Sequence, residues 1–142
     1  MVRSLVIDTD TASDDAVALL LALRAPGAEV RAVTVVAGNV PLEFAVRNAI
    51  VTLDLCDAGG VPVHVGAAGP ALRPLETAQF VHGHDGMAGA PLPDPSRAPS
   101  RQGAVEALVE IAASEPGVHD LVALGPLTNI AAALDHDAGF LT

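Results

Sequence analysis

The chain has 142 residues, 51% of them hydrophobic and 17% charged, a composition that fits one globular domain and excludes a disordered chain. Its formal net charge of −10 argues against a nucleic-acid polymer as partner, because phosphate binding needs clustered basic side chains. All seven basic residues are arginines, which excludes a Walker-type phosphate loop and lysine Schiff-base chemistry.

The amino-terminal part of the sequence predicts two strands with a helix between them. Ser4–Ile7 is short and apolar, as expected of a buried strand. Asp14–Arg24 is rich in Ala and Leu and predicts a helix, with Thr11 or Ser13 as its N-cap. Glu29–Val36 predicts the second strand. This order is that of one strand–helix–strand unit.

The middle of the sequence predicts a helix, a short strand and a long loop. Pro41 is well placed as the first residue of a helix that runs to about Ala58. Pro62–Val65 predicts the third strand. Gly66–Ser100 is rich in Gly, Pro and Ala and has no clear periodicity. Loops of this length in compact domains are usually functional lids or disordered segments.

The last part returns to helix and strand. Gln102–Ala113 predicts a helix and Asp120–Leu124 the fourth strand, and Thr128–Leu134 predicts a final helix that Thr128 and Asn129 would cap. Alternating strands and helices predict an α/β fold: an open, mainly parallel, Rossmann-like sheet with helices on both faces. The pattern stops after the fourth strand and the helix that follows it.

Polar residues follow three of the predicted strands. Asp8 and Asp10 come after the first strand, Asn39 after the second, and Gly125-Pro126 after the fourth. Ligands of parallel sheets bind outside the carboxyl ends of the strands. We therefore expect these residues to converge on one site.

Four carboxylates crowd one short segment, at Asp8, Asp10, Asp14 and Asp15. Acidic residues favour the first turn of a helix because they compensate its dipole, but this accounts only for Asp14 and Asp15. A bound divalent cation would explain why Asp8 and Asp10 lie close to them, since carboxylate oxygens are preferred ligands of Ca²⁺ and Mg²⁺. Asp10 and Asp15 bracket a turn short enough for both to reach one ion. The absence of a Cys/His cluster disfavours structural zinc.

The sequence predicts neither a membrane segment nor a secretion signal. The longest apolar run, Ala16–Leu23, is too short to span a bilayer, and Asp8 comes before a signal-peptide core could form. Cys56 is the only cysteine, which excludes an internal disulfide and fits a reducing compartment. We expect no membrane partner and a cytoplasmic location.

Two metal-assisted families share the acidic segment. Phosphatases of the haloacid dehalogenase type begin with a strand and Asp-x-Asp-x-Thr/Val, but Ala12 stands where Thr or Val belongs. The fuller resemblance is to nucleoside hydrolases of the inosine-uridine preferring type, whose signature resembles Asp-x-Asp-Pro-Gly-x-Asp-Asp-Ala. Four segments are similar to that family in the same order: Asp8–Ala16, Val36-Ala37-Gly38-Asn39, His82-Gly83-His84-Asp85-Gly86 and Leu124-Gly125-Pro126-Leu127-Thr128-Asn129-Ile130-Ala131.

This resemblance implies Ca²⁺-dependent hydrolysis of the N-glycosidic bond of ribonucleosides to base and ribose. By similarity, Asp10 and Asp15 would be carboxylate ligands of the Ca²⁺ ion, and Leu124 would bind it through its backbone carbonyl. Asp10 would also take a proton from the attacking water. A cation that lowers the pKa of water beside a carboxylate base is chemically coherent.

The same resemblance implies three substrate-binding residues. Asp14 and Asn39 would hydrogen-bond ribose hydroxyls, and His82 would lie near the pocket. A histidine in a Gly-rich loop is otherwise often a solvated turn residue, and both interpretations of His82 stay open here. Asp85 is interpreted as a turn residue before Gly86, and His64 as structural.

Two departures from the family pattern limit the prediction. Thr11-Ala12 replaces the usual Pro-Gly, so the acidic loop would differ in shape. Family members also continue into a second half that supplies another Ca²⁺-binding Asp, further ribose contacts and the leaving-group acid. Residues 1–142 are therefore predicted to be the N-terminal part of a single nucleoside hydrolase domain with an incomplete site.

The sequence is also compatible with two other functions. The chain is alternatively a non-catalytic nucleoside- or metal-binding remnant that needs a partner chain, or, less favoured, an Mg²⁺-dependent phosphatase. Partner chains that fit are a missing C-terminal half or further copies in a homo-oligomer. The sequence does not distinguish purine from pyrimidine nucleosides, because the leaving-group side of the pocket would lie in the second half.

Overall fold

Strands and helices alternate along the chain, as the sequence predicts. The structure is a computed structural model that describes residues 2–141. The strands are β1 (Arg3–Thr9), β2 (Ala28–Val35), β3 (Val63–Val65) and β4 (His119–Ala123). The helices are α1 (Ser13–Arg24), α2 (Leu42–Leu55), α3 (Gln79–His82), α4 (Ala104–Ser114) and α5 (Thr128–His136). Within residues 2–141, every helix falls short of the length or hydropathy that a membrane crossing requires.

The sheet has the strand order β3-β2-β1-β4, and every neighbouring pair is parallel. β1 lies in the middle, where Asp8 aligns with Thr34 of β2 and with Ala123 of β4. The carboxyl ends of these three strands therefore meet at one end of the sheet, where ligands of such folds bind. The predicted parallel sheet is confirmed.

Each face of the sheet carries its own hydrophobic core. Ile7 belongs to a cluster with residues of α1 and α2, whereas its neighbour Val6 belongs to one with residues of α4 and α5. Successive strand residues point to opposite faces, so the apolar run of β1 serves both cores. Burying one such side chain stabilises the fold by about 1.5–3 kcal/mol. The prediction of helices on both faces is also confirmed.

Two predicted helix starts differ from the structure. The N-cap of α1 is Ala12, and no side chain caps the helix, so neither Thr11 nor Ser13 has the predicted role. The buried hydroxyl of Thr11 instead shares a hydrogen bond with the hydroxyl of Thr9 (3.0 Å). Pro41 is the N-cap of α2, and the helix begins one residue later, at Leu42.

The long loop 66–100 contains the short helix α3 and otherwise no regular helix or strand. Backbone hydrogen bonds join it to the rest of the protein. The amide of Ala78 donates to the carbonyl of Asn39 (2.8 Å), and the amide of Ser100 donates to the carbonyl of Val63 (2.8 Å). The first of these bonds brings α3 next to the carboxyl end of β2.

Candidate functional site

The candidate site begins with Asp10, the first residue after β1. Its side chain is almost completely buried, with 3% of the residue exposed. Its Oδ2 accepts a hydrogen bond from the backbone amide of Asn39 (2.5 Å), and its own amide donates to Oδ2 of Asp15 (3.2 Å). Asp10 therefore joins three segments. Its carboxylate binds the loop after β2, and its backbone amide binds the start of α1. The predicted convergence of Asp10 with Asn39 is confirmed.

Asp15 lies beside Asp10 in the first turn of α1. Its Oδ2 also accepts a hydrogen bond from the hydroxyl of Thr9 (2.6 Å). Burial raises the pKa of Asp15 to about 6, against the lowering effect of the Thr9 hydrogen bond and with a further increase from the neighbouring charge of Asp10. Two buried carboxylates that repel each other in this way gain from a cation between them.

Glycines allow the surrounding loops to approach Asp10 closely. A Cβ on Gly38 would collide with Oδ2 of Asp10, and a Cβ on Gly125 would lie 2.9 Å from its amide nitrogen and its Oδ1. The amide of Leu124 donates to the backbone carbonyl of Asp8 (2.8 Å). The structure thus brings Leu124 to the same end of the sheet as Asp10 and Asp15.

The predicted substrate-binding residues lie around the start of α1. The Asp14 side chain is 64% exposed, and its Oδ1 lies 3.8 Å from Nδ1 of His82, whose side chain is only 15% exposed. The same nitrogen is 3.2 Å from the hydroxyl oxygen of Ser13. His82 is therefore packed against the acidic loop, which favours the pocket interpretation over a solvated turn.

Asn39 enters the site mainly through its backbone. Its amide and carbonyl groups bind Asp10 and Ala78 respectively. Its side chain is partly buried and makes none of the hydrogen bonds found among residues 2–141. That side chain remains free to bind a ligand.

A buried network under the site was missed by the sequence interpretation. Asp8 is fully buried, and its Oδ2 accepts hydrogen bonds from Thr34 Oγ1 (2.6 Å) and Asn129 Nδ2 (2.8 Å). Burial raises the pKa of Asp8. The predicted capping role of Thr128 and Asn129 is wrong, because the N-cap of α5 is Leu127 and no side chain caps the helix. The only feature of the sequence that could have indicated this network is Asn129 itself, a side-chain amide in the first turn of a mostly apolar helix.

Asn48 of α2 is a second buried amide that the sequence interpretation missed. Its Nδ2 donates to the backbone carbonyls of Thr11 (3.1 Å) and Asp85 (2.7 Å), which ties the acidic loop to the loop that follows α3. Asp85 accepts the amide of Met87 (2.9 Å) through Oδ1, as expected of a turn residue. His64 is buried and contacts the carbonyl of Gln102 (3.1 Å), in agreement with a structural role.

The donors present fit a hard cation but supply only part of its coordination shell. The hydrogen bonds from Asn39 to Asp10 and from Thr9 and the Asp10 amide to Asp15 all end on Oδ2, so Oδ1 of each carboxylate is the oxygen that could face a cation. Across residues 2–141, no three His, Cys, Asp or Glu side chains form a metal-binding group. Ca²⁺ takes about six to eight oxygens, and this chain offers two carboxylates and the nearby Leu124 carbonyl.

Comparisons with known proteins identify a family. The family model for inosine-uridine preferring nucleoside hydrolase matches residues 5–142. The non-specific ribonucleoside hydrolase RihC of Salmonella agona is 45% identical over 132 residues, which are 93% of this chain and 43% of that protein. Uridine nucleosidase 1 of Arabidopsis thaliana is 40% identical over 139 residues, 97% of this chain and 41% of that protein.

Solved structures give the same result. A plant nucleoside hydrolase superposes with a TM-score of 0.92 at 36% identity, covering 97% of this chain and 44% of that one. A purine-preferring ribonucleoside hydrolase from Gardnerella vaginalis also reaches 0.92, at 32% identity, covering 97% of this chain and 45% of that one. The chain thus spans less than half the length of the relatives it matches.

Proposed function

The chain belongs to the inosine-uridine preferring nucleoside hydrolase family, and from this premise we propose that it contributes to Ca²⁺-dependent hydrolysis of the N-glycosidic bond of ribonucleosides. The observation that carries the proposal is the buried Asp10–Asp15 pair at the carboxyl end of the sheet. Family membership removes the phosphatase alternative. We also propose a cytoplasmic location, which is compatible with the single free cysteine, Cys56.

Asp10, Asp15 and the carbonyl of Leu124 are the groups proposed to hold the cation. When bound, Ca²⁺ supplies a positive charge that lowers the pKa of water and orients the sugar. Asp10 accepts the proton of the attacking water, whose oxygen forms a bond to the anomeric carbon while the bond to the base nitrogen breaks. The Asn39 amide holds the Asp10 carboxylate in place for this transfer.

Asp14, Asn39 and His82 are proposed to bind the ribose. The exposed carboxylate of Asp14 accepts hydrogen bonds from ribose hydroxyls, which strengthen as positive charge develops on the sugar. His82, next to Asp14 and Ser13, covers the pocket from the α3 side. The departing base takes a proton from a group outside this chain.

We further propose that the chain is the amino-terminal part of the catalytic domain and that its site is completed by a second part. The two carboxylates fall short of a full Ca²⁺ shell, and the relatives are more than twice as long. The isolated chain then binds Ca²⁺ weakly and turns over little. If the chain is instead a non-catalytic nucleoside- or metal-binding module, it acts only with a partner chain that supplies the missing Ca²⁺ ligands.

The test is an assay of the purified chain with inosine and uridine in millimolar Ca²⁺, alone and mixed with the remaining part of the Salmonella relative. We expect little or no release of free base from the chain alone and clear release from the mixture. Asp10→Asn should abolish that release, whereas Asp94→Asn, a fully exposed control, should leave it unchanged. Robust turnover by the chain alone contradicts the half-site, and full activity of Asp10→Asn contradicts the assignment of the base.

A further inference from the structure

The side chain of Asn129 joins four separate segments of the protein. It is 1% exposed. Its Nδ2 donates to Oδ2 of Asp8 (2.8 Å) and to the carbonyl of Val35 (3.2 Å), and its Oδ1 accepts the amide of Ala67 (2.9 Å). Every hydrogen-bonding capacity of the amide nitrogen is used. One residue of α5 thus binds the ends of β1 and β2 and the segment after β3.

The turn that leads into α5 lies directly against Asp10. A Cβ on Gly125 would lie 2.9 Å from Oδ1 of Asp10, and a Cβ on Gly38 would lie 2.8 Å from Cδ of Pro126. Leu124, at the start of this turn, donates its amide to the Asp8 carbonyl. The turn is therefore held at one end by β4 and at the other by the first residues of α5.

We propose that Asn129 is a positioning residue that fixes the β4–α5 turn, so that the Leu124 carbonyl and the Asp10 carboxylate keep the separation that one cation requires. The identity of the cation rests on the proposed function, whereas the hydrogen bonds of Asn129 do not. Groups that orient metal ligands without touching the metal typically change affinity by about 10–100-fold. Because Asn129 is buried, water has no access to replace its amide.

A purely structural role would make Asn129 important only as a hydrogen-bond partner for buried Asp8. Thr34 separates the two roles, because its hydroxyl donates to the same oxygen of Asp8 but belongs to β2. Thr34→Val removes that donor at almost constant volume and leaves the β4–α5 turn attached. It is the matched control.

The first measurement is a calorimetric Ca²⁺ titration of the 142-residue chain and its variants, with urea unfolding of each. We expect Asn129→Ala to lower Ca²⁺ affinity by about tenfold or more, and Thr34→Val to change it by less than about twofold. Asn129→Asp, which keeps the shape but loses both donors, should resemble Asn129→Ala and replaces it if the alanine variant does not fold. Equal losses in the Asn129 and Thr34 variants, or no loss in either, overturn the proposal.

The second measurement is amide hydrogen exchange without metal. Asn129→Ala should accelerate exchange at Leu124 and at Asn39, whose amide reports the position of Asp10, but not at Val33 in the core. Unchanged exchange at Leu124 and Asn39 overturns the proposal. If the wild-type chain binds no Ca²⁺, the proposed metal site fails instead, and the exchange result still decides the role of Asn129.

Discussion

The two faces of the sheet differ in how completely they are packed. The face covered by α1 and α2 has a continuous core in which Leu19, Val33 and Leu53 are fully buried. The face covered by α4 and α5 has fewer buried residues and an open groove of about 470 Å³, whose lining includes Leu108 and Leu121. A core with a large gap forfeits the contacts that close packing supplies.

The candidate site lies where these two faces meet. Asp10 and Asp15 lead into α1, on the well-packed face, whereas Leu124 leads into α5, on the open one. Two of the proposed ligands therefore adjoin the closely packed core, whereas the third, Leu124, adjoins the turn that we propose Asn129 holds in place. If the proposed ligand set is right, its two carboxylates adjoin the more completely packed face and its backbone carbonyl adjoins the less completely packed one.

The largest expected effect tests the packing difference itself. Leu53→Ala, on the closed face, should lower the free energy of unfolding by about 2–5 kcal/mol, because it leaves a cavity in a fully buried position. Leu121→Ala, on the open face, should cost only about 1 kcal/mol, because this side chain is already partly exposed. Urea unfolding monitored by circular dichroism measures both. Equal losses would show that the faces are packed alike.

The second prediction concerns the carboxylates on the closed face. Asp15→Asn should raise the free energy of unfolding of the metal-free chain at pH 7 by about 1–2 kcal/mol, since it removes a buried charge next to Asp10 after allowance for solvent screening. The same variant should lose the stabilisation that millimolar Ca²⁺ gives to the wild type. Thermal unfolding with and without Ca²⁺ measures both effects. A variant still stabilised by Ca²⁺ would exclude Asp15 as a ligand.

The third prediction is a pH dependence with a definite sign. The pKa of Asp15 is raised from 3.8 to about 6, so the folded state binds its proton more tightly than the unfolded state. Its contribution to stability is complete below about pH 4 and is lost as the pH rises through about 6. The difference in unfolding free energy between wild type and Asp15→Asn should therefore change over this range in metal-free buffer. A constant difference from pH 4 to 7 would contradict it.

Much of the closed face could be predicted from the sequence. The apolar run before Asp8 and the Ala/Leu-rich helix after Asp15 have strong periodic patterns, and parallel topology places the carboxyl ends of their strands together. The convergence of Asp10 and Asn39 followed from that rule alone.

The contacts of Asn129 and Asn48 could not be predicted in the same way. Their partners are backbone carbonyls and amides, such as those of Val35, Ala67 and Asp85, which every residue carries and no pattern marks. Local preference assigns an amide near a helix start to capping, but tertiary contacts decide otherwise here. The strand order, with β4 beside β1, likewise has no local pattern in the sequence that marks it.

The smallest expected effect comes from two ion pairs, Arg3–Asp120 between β1 and β4 and Arg97–Asp54 beside α2. Arg3 and Asp120 join β1 to β4 at 2.8 Å, but their side chains are 74% and 48% exposed, so Arg3→Ala should change the unfolding free energy by less than about 0.5 kcal/mol. Arg97, beside α2, is 24% exposed and also donates to the Val61 carbonyl (2.9 Å). Its removal should cost about 1 kcal/mol, because a partly buried carbonyl loses its donor. Urea unfolding in low salt and in 1 M NaCl helps to separate the two, since salt screens the more exposed Arg3–Asp120 pair more strongly. If removing Arg3 and removing Arg97 lowered the unfolding free energy equally, the two ion pairs would contribute equally to stability, against this prediction.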